Sequence, residues 1–239
     1  MKTKLVIGYS ANQPKAFQTK FSQELLSTVG LPEDRVSIIA YENQRELSLT
    51  EAYNDLWDCA SVFKDAIFVF IHHDVYFKSN GWGKTVLDLF NNHPIDILGL
   101  AGTETLHEHG VWWLDGNKNL NYKEAWGKVW HTDPELGEKM TDYSSNKGCQ
   151  ILQPVAAIDG VFIAFNPDTC SEFDEDFDEF HFYDISFCIK NFLEGRKIAI
   201  TETIQLCHES SGHPPVIWEE NRLKFCEKYA NHLPISVRN

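Results

Sequence analysis

In the run Phe68-Val69-Phe70-Ile71-His72-His73-Asp74-Val75-Tyr76-Phe77, an apolar stretch with the character of a buried strand ends in two imidazoles and a carboxylate. Side chains two apart in a strand point the same way, so His72 and Asp74 can face a common point while His73 faces the opposite side. Such a pair could hold a divalent cation. The alternative is a strand leaving the core through polar residues that cap nearby backbone. Later in the chain, Tyr183-Asp184 precedes apolar residues at 185, 188, 189, 192 and 193, a helical spacing that stops at Gly195 and puts Asp184 in the first turn. Favourable interaction with the helix dipole could by itself explain a carboxylate there. The segment Ile198–Leu206 runs into Cys207-His208, so His208 also emerges at the end of a buried stretch.

The elements that must position these groups alternate in kind. Lys4–Ser10 reads as a strand, and Ala16–Gly30 as a helix with Phe17, Phe21, Leu25 and Leu26 on its inner face. Arg35–Tyr41 is a second strand, Leu49–Ser61 a helix entered through Thr50 with Glu51 in its first turn, and Ala66–Ile71 a third strand. Trp82–Asn91 is a further helix and Ile95–Gly102 a further strand. Alternation of this sort predicts an α/β fold, a Rossmann-like and mostly parallel sheet with right-handed crossovers flanked by helices. Ligands of open parallel sheets sit beyond the carboxyl ends of the strands, which sets Ser10, Glu42 and His72–Asp74 along one crevice.

The stretch 103–148, rich in Gly, Asn, His and Trp with weak periodicity, reads as a long functional loop or excursion, with or without short strands. Within it Trp112 and Trp113 offer aromatic faces that suit sugar rings, or else cover part of the core. Val155–Phe165 is strand-like on both sides of Asp159-Gly160, as a hairpin or one bent strand. Acids alternate with aromatics over Phe173–Phe180, a pattern of a folded segment. Ile217–Tyr229 forms an amphipathic helix with balanced charge, which leaves contact with a membrane surface possible without favouring it.

Composition sets limits. The 239 residues are 43% hydrophobic and 23% charged, enough for one compact body. A net charge of −14 argues against nucleic acid as a partner, because backbone phosphates need clustered Lys and Arg. No segment approaches the ~20 apolar residues of a membrane span and no signal-peptide pattern opens the chain, so a cytoplasmic location is expected, with the inner membrane face open as an alternative. The six cysteines, 59, 149, 170, 188, 207 and 226, lack a CxxC pair and read as reduced structural thiols.

Taken in order, the motifs resemble a known family. The strand ending in His72-His73-Asp74, the later Asp159-Gly160, the run Phe180–Cys188 containing Phe-His-Phe-Tyr-Asp, and the closing His208–Gly212 are together similar to GT-A-fold, family-2-like bacterial glycosyltransferases. The subgroup with a His-His-Asp variant of the DXD motif is the most similar, and the likeness runs from Lys4 to about Gly212. The resemblance implies a single domain over 1–239: a nucleotide-binding half (1–102), a donor-sugar and acceptor half with antiparallel or loop structure (103–213), and a C-terminal helix and tail (214–239). It implies that Asp74 meets the metal and the nucleotide diphosphate. His72 stands where the first Asp of DXD is usual, as a metal ligand or as a contact to phosphate or ribose. It implies Ser10 and Glu42 at the base and ribose, His208 as the late metal ligand and Asp184 as the general base, with Ser186 where many relatives carry a second acid. The implied cofactor is Mn2+ or Mg2+, the donor a nucleotide-diphosphate sugar, most commonly a UDP-sugar, and the acceptor a glycan hydroxyl in bacterial surface polysaccharide assembly.

The chemistry of such a transfer fits those roles. The anomeric C–O bond breaks to leave a diphosphate whose developing charge a cation stabilises. The attacking hydroxyl is a poor nucleophile, so a carboxylate across the anomeric carbon must take its proton, and in-line attack inverts configuration. Asp159, with Gly160 permitting close backbone approach, is placed to bond donor-sugar or acceptor hydroxyls. His181 is placed to bond the acceptor or orient the base, whereas His107 and His109 receive no role. Two other classes remain open: a carbohydrate- or nucleotide-sugar-binding module without turnover, and a metal-dependent hydrolase using His72, His73, Asp74 and His208. Oligomeric state is not legible.

Overall fold

The computed structural model describes residues 1–238 except 45, 134–136, 145–146, 148–150, 178–179 and 210–215. Cys149, the acids at 178–179 and positions 210–212 of the closing motif therefore lie outside the described residues. The other five cysteines are free thiols, as expected.

β1 (Lys4–Ala11) is apolar on both faces, with Leu5, Val6, Ile7 and Tyr9 all buried, the pattern of a strand covered on both sides. α1 (Lys15–Val29) follows. Its buried stripe is Gln18, Phe21, Leu25 and Val29, so Phe17 and Leu26, expected inward, lie off the stripe and are exposed. The helix ends at Gly30 in a left-handed conformation (φ 71°), where a Cβ would stand 2.4 Å from Gly81 Cα. β2 (Val36–Glu42) leads to α2 (Leu49–Ala60). Its cap is Ser48, not the expected Thr50: Ser48 accepts from the Glu51 amide while Glu51 accepts from the Ser48 amide. Thr50 is instead buried inside the helix, its hydroxyl donating to the Phe177 carbonyl at 3.1 Å.

β3 (Ala66–Ile71) is buried throughout, and β4 (Val75–Phe77) begins four residues beyond its end. α3 (Trp82–Asn92) is tied to α1 by the Trp82 indole, which donates to the Thr28 hydroxyl at 3.1 Å. The expected strand 95–102 proves to be two, β5 (Ile97–Gly99) and β6 (Ala101–Thr103). The stretch 103–148 is more regular than expected, containing β7 (Thr105–Leu106) and a hairpin of β8 (Ala125–Asp133) with β9 (Gly137–Asp142). Then come β10 (Gln153–Pro154), β11 (Ala157–Ile158), β12 (Phe162–Phe165) and α4 (Tyr183–Leu193). The expected strand 198–206 is also two, β13 (Ile198–Ile200) and β14 (Leu206–His208), before α5 (Val216–Lys228) and β15 (Ile235–Ser236).

A seven-stranded sheet runs β10-β13-β5-β12-β3-β1-β2 and a six-stranded one is built on β11-β6-β8-β14-β4, with β9 beside β8. In the first, β1 is parallel to β2 and β3 and β13 is parallel to β5, while β12 runs against both its neighbours. Among the described residues, successive strands belong to different ones of these two sheets at seven steps: β3 to β4, β4 to β5 through α3, β5 to β6, β9 to β10, β10 to β11, β11 to β12, and β13 to β14. The core on the α2 side of the first sheet is aromatic, with Trp57 against Phe165 (centroids 4.6 Å apart) and Phe173 stacked on Phe187 (4.4 Å).

Candidate active site

The candidate ligands sit at the crossings between the sheets. His72 leaves β3 and Asp74 enters β4, while β14 lies antiparallel to β4 with His208 opposite Val75. The Glu209 amide donates to the Asp74 carbonyl at 2.8 Å and extends that pairing past the strand. Backbone register thus brings two side chains together that are 136 residues apart: His72 Nδ1 lies 3.3 Å from His208 Nε2. Asp74 Oδ1 is 3.3 Å from His208 Nε2 and 3.9 Å from His72 Nδ1. One donor atom from each of the three falls within 4.8 Å of the others, a spacing one ion could bridge. As alternation along the strand requires, His73 turns to the other face, where its Nδ1–H donates to the Ser10 carbonyl at 3.2 Å and its ring meets Phe17.

Burial and mutual contact shift the three groups in different directions. Burial and the neighbouring His208 push the His72 pKa down to about 4, so its ring is neutral. Burial works against the Asp74 charge, but the His208 hydrogen bond and the nearby imidazoles outweigh it and hold the carboxyl below its ordinary range. The same Asp74 contact, against the effect of burial, raises His208. A carboxylate and two imidazoles, oxygen and nitrogen donors without thiolate, suit Mn2+ and its neighbours in the first transition row.

Asp184 occupies the first turn of α4 behind Phe182, which adopts a left-handed conformation (φ 63°) at the cap. Its two oxygens each accept one backbone amide, from Gly160 at 2.9 Å and from Ile185 at 2.8 Å. Burial first, then the charge of Asp159, raises its pKa to about 7 in spite of those bonds. Asp159 turns the chain from β11 to β12 and accepts from the Val161 amide at 2.9 Å. Gly160 is crowded: a Cβ there would lie 2.1 Å from Tyr183 Oη and 2.9 Å from Asp184 Cβ. The Tyr183 hydroxyl in turn lies 2.6 Å from His72 Nε2, so the corner at 159–160 touches both the acid and the triad.

Ser10 is the penultimate residue of β1 and Glu42 the last of β2, with Ser10 paired to Tyr41 and Ala11 to Glu42. The Glu42 side chain is exposed, and the loop beyond it is braced by Asn43, which accepts from the amides of Glu46 and Leu47. Trp112 is only 2% exposed, packed on Tyr143 and Trp113, so covering the core describes it better than stacking on a sugar. Trp113 is partly exposed and lies 5.8 Å from Trp218, whose ring meets Phe182 at 5.4 Å. His181, also partly exposed, is two residues ahead of the α4 start.

Two residues near the triad escaped sequence reasoning. Tyr183 was visible only as the neighbour of Asp184. His131 faces His208 across the β8–β14 pairing, with rings 6.0 Å apart, from a stretch read as a loop with or without short strands.

A family model described as "Glycosyltransferase like family" matches residues 9–235. The chain belongs to that family. The kind of family expected from the sequence is the kind that matches. Among solved structures, the family member is similar to GalNAc-T7 with UDP, GalNAc and Mn2+, at 10% identity and a TM-score of 0.60 over 94% of this chain. That likeness shows the GT-A fold, and the match spans about half (48%) of the GalNAc-T7 chain. A197 from STIV also matches, at 9% identity and a TM-score of 0.48 over 87% of this chain and 86% of its own. No curated protein matches the sequence. No helix among the described residues is long and apolar enough to cross a membrane.

Proposed function

We propose that this glycosyltransferase-like chain moves a sugar from a nucleotide-diphosphate sugar, UDP-linked, to a glycan hydroxyl with inversion at the anomeric carbon. It does so with Mn2+ or Mg2+, in the assembly of a bacterial surface polysaccharide. The observation carrying this reading is the meeting of His72, Asp74 and His208 at the junction of the two sheets, with Asp184 on the adjoining corner. A cation bound there would supply the charge that stabilises the diphosphate leaving group. Ser10 and Glu42 take the base and ribose, and Asp159 takes donor-sugar hydroxyls with the lone pairs that the Val161 amide leaves over. Asp184 is held by two amides and keeps a pKa of about 7, the range in which a base removes a hydroxyl proton effectively near neutrality. Trp113 and His181, partly exposed near the start of α4, offer surface for the acceptor. The UDP and Mn2+ bound in GalNAc-T7 support this choice of donor and ion by analogy of fold.

The test is a thermal-shift series with nucleoside diphosphates, with and without Mn2+. A ligand at about 100 times its Kd stabilises the native state by roughly 2.7 kcal/mol, so the right diphosphate should raise Tm and lose that effect with EDTA. No shift with any diphosphate would sink the transferase reading. A binding module without turnover remains the second reading, because two backbone amides on Asp184 are also what a purely structural carboxylate would accept. Asp184→Asn separates the two: we expect a loss of about 10² to 10⁴ in kcat with diphosphate affinity retained, whereas a binding module shows no wild-type turnover to lose.

A further inference from the structure

We propose that Tyr183 is a positioning residue of the metal centre: its hydroxyl oxygen accepts the Nε2 proton of His72 and so directs the Nδ1 lone pair into the triad, and Gly160 is the position that leaves room for that hydroxyl. The inference rests on the cation reading above.

A neutral imidazole has one lone-pair nitrogen and one N–H. His72 Nδ1 is the nitrogen facing His208 Nε2 (3.3 Å) and Asp74 Oδ1 (3.9 Å), so a ligand bond to a shared ion must come from it. The ring proton is then on Nε2, at 2.6 Å from Tyr183 Oη. Metal-bound histidines are held this way, their second ring nitrogen donating to an outer partner that fixes the tautomer and the ring plane. Carboxylates and carbonyls are the usual partners, and here a phenol stands in that place. The phenol is itself fixed. Tyr183 is buried at the first position of α4, with its ring edge-on to Tyr53 at 5.6 Å. On its remaining side stands Gly160, where any side chain would meet Oη at 2.1 Å and Cζ at 2.5 Å. The glycine amide meanwhile holds Asp184 at 2.9 Å. One corner of the chain therefore sets both the ring that meets the ion and the acid that meets the nucleophile, and the consecutive residues 183 and 184 keep the two in register.

The experiment is a titration of the full chain with Mn2+ alone, free ion being read by electron paramagnetic resonance, in wild type, Tyr183→Phe, Gly160→Ala, His72→Ala and the His72→Ala/Tyr183→Phe double variant. Tyr183→Phe, which removes one oxygen from a site where the ring still fits, should weaken Mn2+ binding by about 10- to 100-fold. Gly160→Ala, which displaces the hydroxyl, should weaken it in the same direction. In the His72→Ala background the Tyr183 change should be silent, within about twofold, because its effect passes through that ring. Melting without Mn2+ checks that each variant folds. Should Tyr183→Phe fail that check, the ¹⁵N signals of His72 in the Zn2+-loaded wild type decide, with a protonated Nε2 and a metal-bound Nδ1 expected. Unchanged Mn2+ affinity in Tyr183→Phe alongside a loss in His72→Ala, or a metal-bound Nε2, overturns the role of Tyr183 alone. A wild-type chain that leaves Mn2+ free overturns the ion site as well.

Discussion

The Asp184 carboxyl, with its pKa raised to about 7 from an ordinary 3.8, is close to half ionised at neutral pH. Two consequences of opposite sign follow. As a base it acts only when ionised, so kcat should climb with pH through about 7 on its acid limb, and a flat profile between pH 5 and 8 would remove Asp184 from that role. For stability, the folded chain holds a proton that the unfolded chain has released, so the group's contribution is present below 3.8 and is lost as pH rises through about 7. The stability advantage of wild type over Asp184→Asn should accordingly shrink from pH 5 to pH 8 in denaturant titrations. At this scale the sequence spoke clearly where a polar residue interrupted an apolar run: His72, Asp74 and His208 were all found at strand ends. Tyr183 was not, because a tyrosine between Phe182 and Asp184 carries no sign of where its hydroxyl goes.

Whole elements were read well where one local rule settled them, and poorly where two sheets shared one stretch of chain. The start of α2 at Leu49 was read correctly but its cap was misplaced, although the box that sets it, Ser48 with Glu51 three residues on, is written in the sequence. Ser48→Ala should cost about 1 kcal/mol in chemical denaturation, and Thr50→Ala should be felt through the buried bond to Phe177 and not through the cap. Gly30→Ala should be harsher, since it combines a left-handed backbone with a 2.4 Å encounter with Gly81, and a Tm within a degree of wild type would refute the α1–α3 contact. The breaks at Leu100 and between Ile200 and Leu206 were illegible because apolar runs look alike whether they serve one sheet or two. β8 was hard to read because of its other face: Ala125, Gly127 and Val129 are buried in alternation, but Trp126 between them and Trp130 after them blur the period of two.

Across the whole molecule, the α/β layering and the order of the first elements, β1 to α3, followed from alternation of strand and helix, while the second sheet needed long-range pairings that no window of sequence contains. The three candidate ligands belong to that second problem. His72 follows a strand of one sheet, whereas Asp74 and His208 flank and end strands of the other. An ion bridging them would act as a rivet, adding to the packing, the covalent chain and the His72–His208 contact that join the layers. Amide protons of β4 and β14 should therefore exchange with deuterium more slowly once Mn2+ is bound, while those of β1, which carries none of the three ligands, should keep their rate. Chelation would then do more than disarm the catalyst: it would let the two layers breathe apart.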